Sequence, residues 1–270
     1  MEDSPREDTP GLLCLLATDP RLGKTRLVAS LLETKRVESN TAARKFATSF
    51  AHAALADLLT NLKHVATFRC VMYAPPTQNT RQELLELLTS LQLDKYWQLL
   101  PVVTGHDSQS ADLSLILSNA IAYCREIMLC KVIVLIGMDS PDISEESIDK
   151  AYRVAQQGGA YICPALDGGY VALALPATQT VQESAFNEVL WSCSSTCRSQ
   201  IAALSRIRLT CTVGEEYGDV DDLSDLEGLA WRICTQHDIR ERCSHVYHFL
   251  TVESNSFPIL YDVMTTTCPM

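Results

Sequence analysis

Short apolar runs alternate along the chain with longer stretches in which apolar residues recur at helical spacing. The runs predict strands at residues 11–17, 67–74, 99–103, 131–137, 160–166, 171–176 and 206–213. The stretches between them predict helices, among them 40–62, 80–91, 110–129, 145–157, 186–190, 196–204, 223–234 and 238–250. Because strand and helix alternate four times from the start, we expect an α/β fold with a mostly parallel central sheet between two helical layers.

The run Val132–Ile136 is the most informative strand, since its five apolar residues are mostly β-branched, as in a strand buried on both faces. Gly137 ends the run, and Asp139 and Asp142 follow. Ligands of open α/β sheets bind at the carboxyl ends of strands, where these carboxylates fall. The two acids could hold a hard cation such as Mg²⁺ and, through it, a phosphate. Alternatively, Asp139 caps a turn and Asp142 is solvated.

A second candidate site lies in the loop after the first strand, which ends in Gly23–Thr25 before a helix. The layout is that of a P-loop, but Thr18 stands where that motif needs glycine, and Pro20 removes a backbone donor. Lys24 and Arg26 remain candidates for holding phosphates at a helix N-terminus, the alternative being two solvated cations. If the loops after the first and fourth strands flank one crevice, these cations face the acids of the fourth strand.

Two later stretches add glycines and acids. Residues 167–170, Asp-Gly-Gly-Tyr, separate two predicted strands, and the glycines either close a tight hairpin or let a ligand approach the backbone. Residues 215–222 hold five acids, of which Asp219 and Asp221 alternate in an extended segment and so point to one side. They are a second source of carboxylates for a metal site at Asp139. The alternative is a solvated acidic loop.

Composition narrows the class of protein. The 270 residues are 47% hydrophobic with a formal net charge of −11, which fits one large domain and argues against general nucleic-acid binding. The 11 cysteines indicate buried thiols in a reducing compartment, so we expect a cytoplasmic protein without a membrane span. We predict a disordered acidic tail at 1–10, one domain over 11–250, and a C-terminal extension of unknown role at 251–270.

Five motifs, in order, resemble those of one family. They are Gly23–Leu27, Ile136–Asp142, Pro164–Tyr170, Leu190–Ser192 and Asp219–Leu226. Together they are similar to the glycosyltransferase-like family related to 2-phospholactate guanylyltransferase (domain of unknown function 2064). The resemblance implies the nucleotide-diphospho-sugar transferase fold, often called GT-A. In that superfamily a divalent metal bridges acids at a strand end and the phosphates of a nucleotide.

The resemblance also implies site residues. The metal, Mg²⁺ or Mn²⁺, would be bound by Asp139, Asp219 and Asp221. The donor would contact Gly23, Lys24, Arg26, Gly168, Gly169 and Trp191, with the cations on its phosphates and the indole stacked on sugar or base. Asp139 and Asp167 would be catalytic, with Asp167 deprotonating the acceptor. The loop at Asp19–Gly23 is shorter than in the family, which leaves the identity of the substrate open.

We therefore predict a metal-dependent transferase that uses a nucleotide sugar or a nucleoside triphosphate as donor. Whether it transfers a glycosyl or a nucleotidyl group, and to which small-molecule or glycan acceptor, is left open by the sequence. One alternative is a non-catalytic descendant of the fold that serves as a binding or scaffolding module. A less favoured one is a P-loop-type ATPase or kinase built on Gly23–Thr25.

Overall fold

A computed structural model describes residues 10–35, 37, 39–103 and 113–253 of the chain. The strands are β1 Gly11–Thr18, β2 Phe68–Ala74, β3 Gln98–Pro101, β4 Val132–Gly137, β5 Ala160–Pro164, β6 Tyr170–Pro176 and β7 Cys211–Val213. The helices are α1 Thr25–Glu33, α2 Asn40–Asn61, α3 Gln78–Ser90, α4 Leu113–Ala122, α5 Glu145–Gln156, α6 Gln179–Ser184, α7 Thr196–Arg206, α8 Leu223–Thr235, α9 His237–Arg242 and α10 Ser244–Glu253. A π-helical turn, Tyr123–Ile127, continues α4. Nearly all of the predicted tail and most of the predicted extension lie outside the described residues.

The seven strands form one sheet in the order β3-β2-β1-β4-β6-β5-β7. Only β6 runs antiparallel to its neighbours in this sheet, β4 and β5, so the predicted mostly parallel sheet is confirmed. The chain builds outward from β1 through β2 to β3 and then returns to place β4 on the other side of β1. The pair β1–β4 is therefore the switch point of the sheet, where α/β proteins open a crevice at the carboxyl ends of the strands.

Helices cover both faces of the sheet, which confirms the predicted three-layer fold. Alternate residues of β1 divide between the two faces: Leu13 and Leu15 pack with α2, α3 and α5, whereas Leu12 and Cys14 pack with α4. This division explains why the strands are nearly continuous apolar runs, since both sides of each central strand are buried. A third apolar cluster joins α1, α2, α8 and α10 beside the sheet.

Two predicted boundaries are wrong because the capping groups lie elsewhere. The N-cap of α3 is Thr77, whose hydroxyl accepts a hydrogen bond from the Thr80 backbone N–H at 3.2 Å. Thr80 is buried inside the helix, where its hydroxyl donates to Asp19. The predicted turns at 186–190 are not helical; instead α6 begins earlier, capped by Thr178.

Two predicted elements are shorter than expected because tertiary contacts interrupt them. The apolar residues of the predicted strand 206–213 pack partly against the core from a turn, and only Cys211–Val213 pairs with β5. The predicted helix 238–250 is divided into α9 and α10. Asp57 of α2 accepts the backbone N–H groups of His245 and Val246 at 2.9 and 3.0 Å and so starts a new helix there.

Two expectations drawn from composition can be compared with the structure. Seven of the ten cysteines in the described residues are buried, and no disulfide joins any of these ten. Within the same residues, no helix combines the length and the apolar content that crossing a membrane requires.

Candidate functional site

The crevice at the switch point is occupied by an ion pair between the loops after β1 and β4. The Lys24 ammonium contacts the Asp139 carboxylate and donates a hydrogen bond to the Val220 carbonyl oxygen at 2.5 Å. The Lys24 side chain is only 3% exposed, whereas that of Asp139 is 44% exposed. The predicted position of Lys24 opposite Asp139 is therefore the one observed, with the lysine buried and the carboxylate open to solvent.

Lys24 reaches this position because the loop before it is folded around a buried carboxylate. The backbone N–H groups of Arg21, Leu22 and Gly23 donate to oxygen atoms of Asp19 at 2.9–3.1 Å. The Arg21 guanidinium also binds Asp19, and this hydrogen bond holds the pKa of Asp19 below its usual range. A P-loop directs such N–H groups toward phosphate, so this loop does not supply the donors that a P-loop uses.

The acidic segment before α8 runs beside the ends of two strands. The Tyr217 N–H donates to the Pro164 carbonyl and the Val220 N–H to the Asp139 carbonyl, at 3.0 and 2.9 Å. The segment is thus fixed between the loops after β4 and β5. At its end Asp222 forms the N-cap of α8 with a reciprocal bond to Asp225.

Three carboxylates converge where this segment meets the β5–β6 hairpin. Oxygen atoms of Asp167, Asp219 and Asp221 lie within 4.8 Å of one another. Asp219 and Asp221 point to one side, as their alternation predicts. The third member is Asp167, which the sequence placed on the acceptor side, and Asp139 is not part of this group of three.

The environment of Asp219 and Asp221 disfavours negative charge. Burial, and next the charge of Asp167, raise the pKa of Asp219 to about 6. Burial, and next the charge of Asp139, raise the pKa of Asp221, while Arg26 acts in the opposite direction through an ion pair with it. Carboxylates that repel one another in a partly buried place favour a bound cation.

The donor set fits a divalent metal. Hard cations such as Mg²⁺ and Mn²⁺ take carboxylate oxygens, and the spacing of Asp167, Asp219 and Asp221 lets one ion contact all three. Such an ion would also offset the burial and the repulsion by Asp167 that raise the pKa of Asp219. The residues present therefore suit the predicted metal, with Asp167 as an additional candidate ligand. The role of Asp139 as a ligand stays a prediction.

The other predicted ligand residues have identifiable contacts within the protein. Gly168 has a positive φ of 90°, and a Cβ there would collide with the backbone of Ser194. The Gly169 N–H donates to Asp167 Oδ1 at 2.7 Å and orients that carboxylate. The Trp191 indole N–H donates to the Ser114 hydroxyl at 2.9 Å. The predicted contacts of these glycines and of Trp191 with a donor remain predictions.

Sequence reasoning missed several groups that build the site. Asp19 and Thr80 shape the loop that carries Lys24, but their pairing over 61 residues leaves no local signal. The Val220 carbonyl is a main-chain group, and every residue has one, so the sequence does not identify it as part of the site. The alternative that Asp142 is solvated is wrong: its carboxylate is buried and accepts a hydrogen bond from Arg232 Nε at 2.8 Å.

Comparisons with known proteins agree with this geometry. Residues 61–193 match the family described as "Uncharacterized protein conserved in bacteria (DUF2064)". That stretch contains the loop of Asp139 and the hairpin of Asp167, whereas Lys24 and Asp219 lie outside it. No curated protein matches the sequence.

Solved structures share the fold over nearly the whole chain. One is assigned to the nucleotide-diphospho-sugar transferases and comes from Desulfovibrio desulfuricans G20; it is 20% identical, with a TM-score of 0.75 over 94% of this chain and 97% of that chain. Another is a nucleotidyl transferase from Methanothermobacter, 14% identical, with a TM-score of 0.50 over 90% of this chain and 99% of that one. At these identities the likeness establishes the fold. Over residues 61–193 this chain is thus similar to the DUF2064 family, and nearly its whole length shares the fold of the structure assigned to the nucleotide-diphospho-sugar transferases.

Proposed function

We propose that this protein is a metal-dependent transferase that takes a glycosyl or nucleotidyl group from a nucleotide sugar or a nucleoside triphosphate. The observation that carries the proposal is the convergence of Asp167, Asp219 and Asp221 beside the Lys24–Asp139 pair at the switch point. Anionic and cationic groups are both needed there, since a metal–phosphate substrate presents charges of both signs.

Each residue of the site has a proposed role. Asp219 and Asp221 bind the metal together with Asp167, and a bound divalent ion neutralises charge that develops on the phosphates during transfer. Arg26, at the start of α1 and 70% exposed, donates to the donor's phosphates. Lys24 is held by Asp139 and adds a fixed positive charge at the base of the crevice.

Asp139 and Asp167 are the proposed catalytic carboxylates. Asp139 is 44% exposed beside the buried Lys24, so it can contact a substrate while the ammonium fixes its position. Asp167 is exposed at the hairpin, and the Gly169 N–H donates to one of its oxygens. A carboxylate has about four lone-pair positions, so Asp167 can contact the metal at one of them and an acceptor hydroxyl at another. An acid so placed can accept the proton of that hydroxyl as the new bond forms.

The two alternatives are less well supported. A P-loop enzyme needs backbone donors that face phosphate, and those of Arg21, Leu22 and Gly23 are directed to Asp19. A scaffold has no need of partly buried carboxylates placed close together, whereas burial and next the charge of Asp167 raise the pKa of Asp219 here.

The proposal is tested by thermal shift with a panel of nucleoside triphosphates and nucleotide sugars, each with and without Mg²⁺ or Mn²⁺. We expect one nucleotide class to stabilise the protein only when metal is present, by about 2.7 kcal/mol at a hundredfold excess over its dissociation constant. Asp167→Asn should abolish this stabilisation, because an amide is a much weaker metal ligand.

The matched control is Asp149→Asn, which neutralises a carboxylate of α5 outside the group of three and should retain the full shift. Stabilisation that is independent of metal, or equal in both variants, would contradict the metal site. If no nucleotide stabilises the wild-type protein, the scaffold alternative is the better explanation.

A further inference from the structure

The Lys24 ammonium lies among oxygen atoms, as a bound cation does. It contacts the Asp139 carboxylate and donates to the Val220 carbonyl oxygen at 2.5 Å. The Lys24 side chain is 3% exposed, and the Phe50 ring lies 5.7 Å from Nζ. A charge removed from water is strongly disfavoured unless such partners surround it. Groups from three parts of the chain therefore hold one positive charge at this position.

This position adjoins the group of three carboxylates through Asp221. An oxygen of Asp221 lies within 4.8 Å of oxygens of the other two members of that group. Burial and next the charge of Asp139 raise the pKa of Asp221, whereas the charge of Lys24 acts in the opposite direction. Asp221 is therefore near both the candidate metal position and the position that the ammonium occupies.

The oxygens around the ammonium are of the kinds that a divalent metal binds. Carboxylate and carbonyl oxygens are the protein ligands of hard cations such as Mg²⁺ and Mn²⁺. Enzymes that use two metal ions hold them about 3.5–4 Å apart, so that both act on one reacting group. The Lys24 ammonium is a compact point charge beside the candidate metal position, where a second ion of such a pair would lie.

We propose that the Lys24 ammonium fills a second cation position, formed by Asp139 and the Val220 carbonyl beside Asp221, so that the chain binds one divalent metal ion instead of two. This inference rests on the proposed function, since the one ion is that of the group of three carboxylates. It follows that the positive charge at the base of the crevice is present at any metal concentration, and that removing it opens a site for a second ion.

The test counts the Mn²⁺ ions bound by the whole chain in the absence of nucleotide, from the EPR signal of the free ion during titration. We expect the wild-type chain to bind one ion. Lys24→Met keeps most of the length of the side chain but lacks the ammonium, and it should bind two. Lys24→Ala, which leaves more room for water ligands on the ion, should also bind two.

The spectrum of the bound ions shows whether the second ion lies at the proposed position. Two Mn²⁺ ions on either side of Asp221 are close enough for their spins to couple, so Lys24→Met should give the spectrum of a coupled pair. An ion bound elsewhere on the surface would add an uncoupled signal. The double variant Lys24→Met/Asp139→Ala removes the carboxylate of the second position, and it should return to one uncoupled ion.

The matched control is Arg26→Met, which removes an equal charge beside Asp221. Arg26 is 70% exposed, so its guanidinium does not fill an enclosed position, and this variant should still bind one ion. Two ions in the wild-type chain, one ion in both single Lys24 variants, or a second ion without spin coupling would each overturn the inference and leave the proposed metal site standing. No bound Mn²⁺ in any of these proteins would contradict the metal site itself, and the inference with it.

Discussion

Two aspartates of one loop, three residues apart after β4, are each paired with a cation but are buried to opposite extents. In the first pair the cation is buried and the acid open: Lys24 is 3% exposed and Asp139 44%. In the second pair the acid is buried and the cation partly open, with Asp142 4% and Arg232 21% exposed. Asp139 lies at the candidate functional site, whereas Asp142 is buried against Arg232 of α8.

This difference shows which deletion in an ion pair destabilises the protein more. Removing one member of an ion pair is costly when the other member stays buried with an uncompensated charge. Removing the buried member instead leaves a charge that water can solvate. The more damaging deletion in each pair is therefore that of the exposed partner, which is the acid in one pair and the arginine in the other.

Arg232→Met should have the largest effect on stability. It leaves the Asp142 carboxylate buried and unpaired, so we expect the free energy of unfolding to fall by about 3–5 kcal/mol. Asp142→Ala should cost less, because the Arg232 side chain is already 21% exposed and can turn to water. Urea denaturation of both variants measures the difference, and an equal loss would refute the asymmetry.

Asp139→Ala and Lys24→Met should show the reverse order in the first pair. Without Asp139, the buried ammonium retains, among the described residues, the Val220 carbonyl, the Phe50 ring 5.7 Å from Nζ and the charge of Asp221. We expect a loss of about 2 kcal/mol, against less than about 1 kcal/mol for Lys24→Met, which leaves an acid in contact with water. Urea denaturation of the two variants measures these losses in the free energy of unfolding. A greater loss for Lys24→Met than for Asp139→Ala would mean that the folded protein needs the lysine to compensate the charge of Asp139.

The comparison also shows what the sequence could reveal about the fold. The parallel strands were predictable because burial on both faces makes them continuous apolar runs, as in β4. The caps Ser144 and Asp222 were predictable because each bonds within its own first turn. The boundary between α9 and α10 was not, since the capping carboxylate of Asp57 comes from a helix 188 residues away in sequence.

The site was predictable to the extent that topology determines it. Adjacent β1 and β4 bring Lys24 to Asp139 whatever the side-chain details, and the alternation of Asp219 and Asp221 follows from an extended backbone. The membership of Asp167 in the group of three depends on how closely the hairpin approaches the acidic segment, which spacing along the chain does not encode. The burial of Asp142 depends on Arg232, 90 residues away.

Asp219→Asn should stabilise the metal-free protein. The pKa of Asp219 in the folded protein is raised to about 6. Ionisation of Asp219 therefore lowers the free energy of unfolding progressively as the pH rises from about 4 to 6, and the whole of this loss is present at pH 7. With solvent screening allowed for, we expect a gain of about 1 kcal/mol at pH 7.5 in EDTA and almost none at pH 4. Melting curves at the two pH values test this, and a variant less stable at pH 7.5 would contradict it.

Arg26→Ala should have the smallest effect on stability and a clear effect on function. Arg26 is 70% exposed and paired with Asp221, so the free energy of unfolding should change by less than about 0.5 kcal/mol. If Arg26 binds the donor's phosphates, the variant should lose one charge-assisted hydrogen bond, and metal-dependent nucleotide binding should weaken about tenfold in calorimetric titration. Arg153→Ala is the matched control, since Arg153 is 66% exposed and also paired with an aspartate, on α5. Equal affinities for the two variants would mean that the phosphates do not lie at the start of α1, and the positive charge of the site would then reside in the buried Lys24.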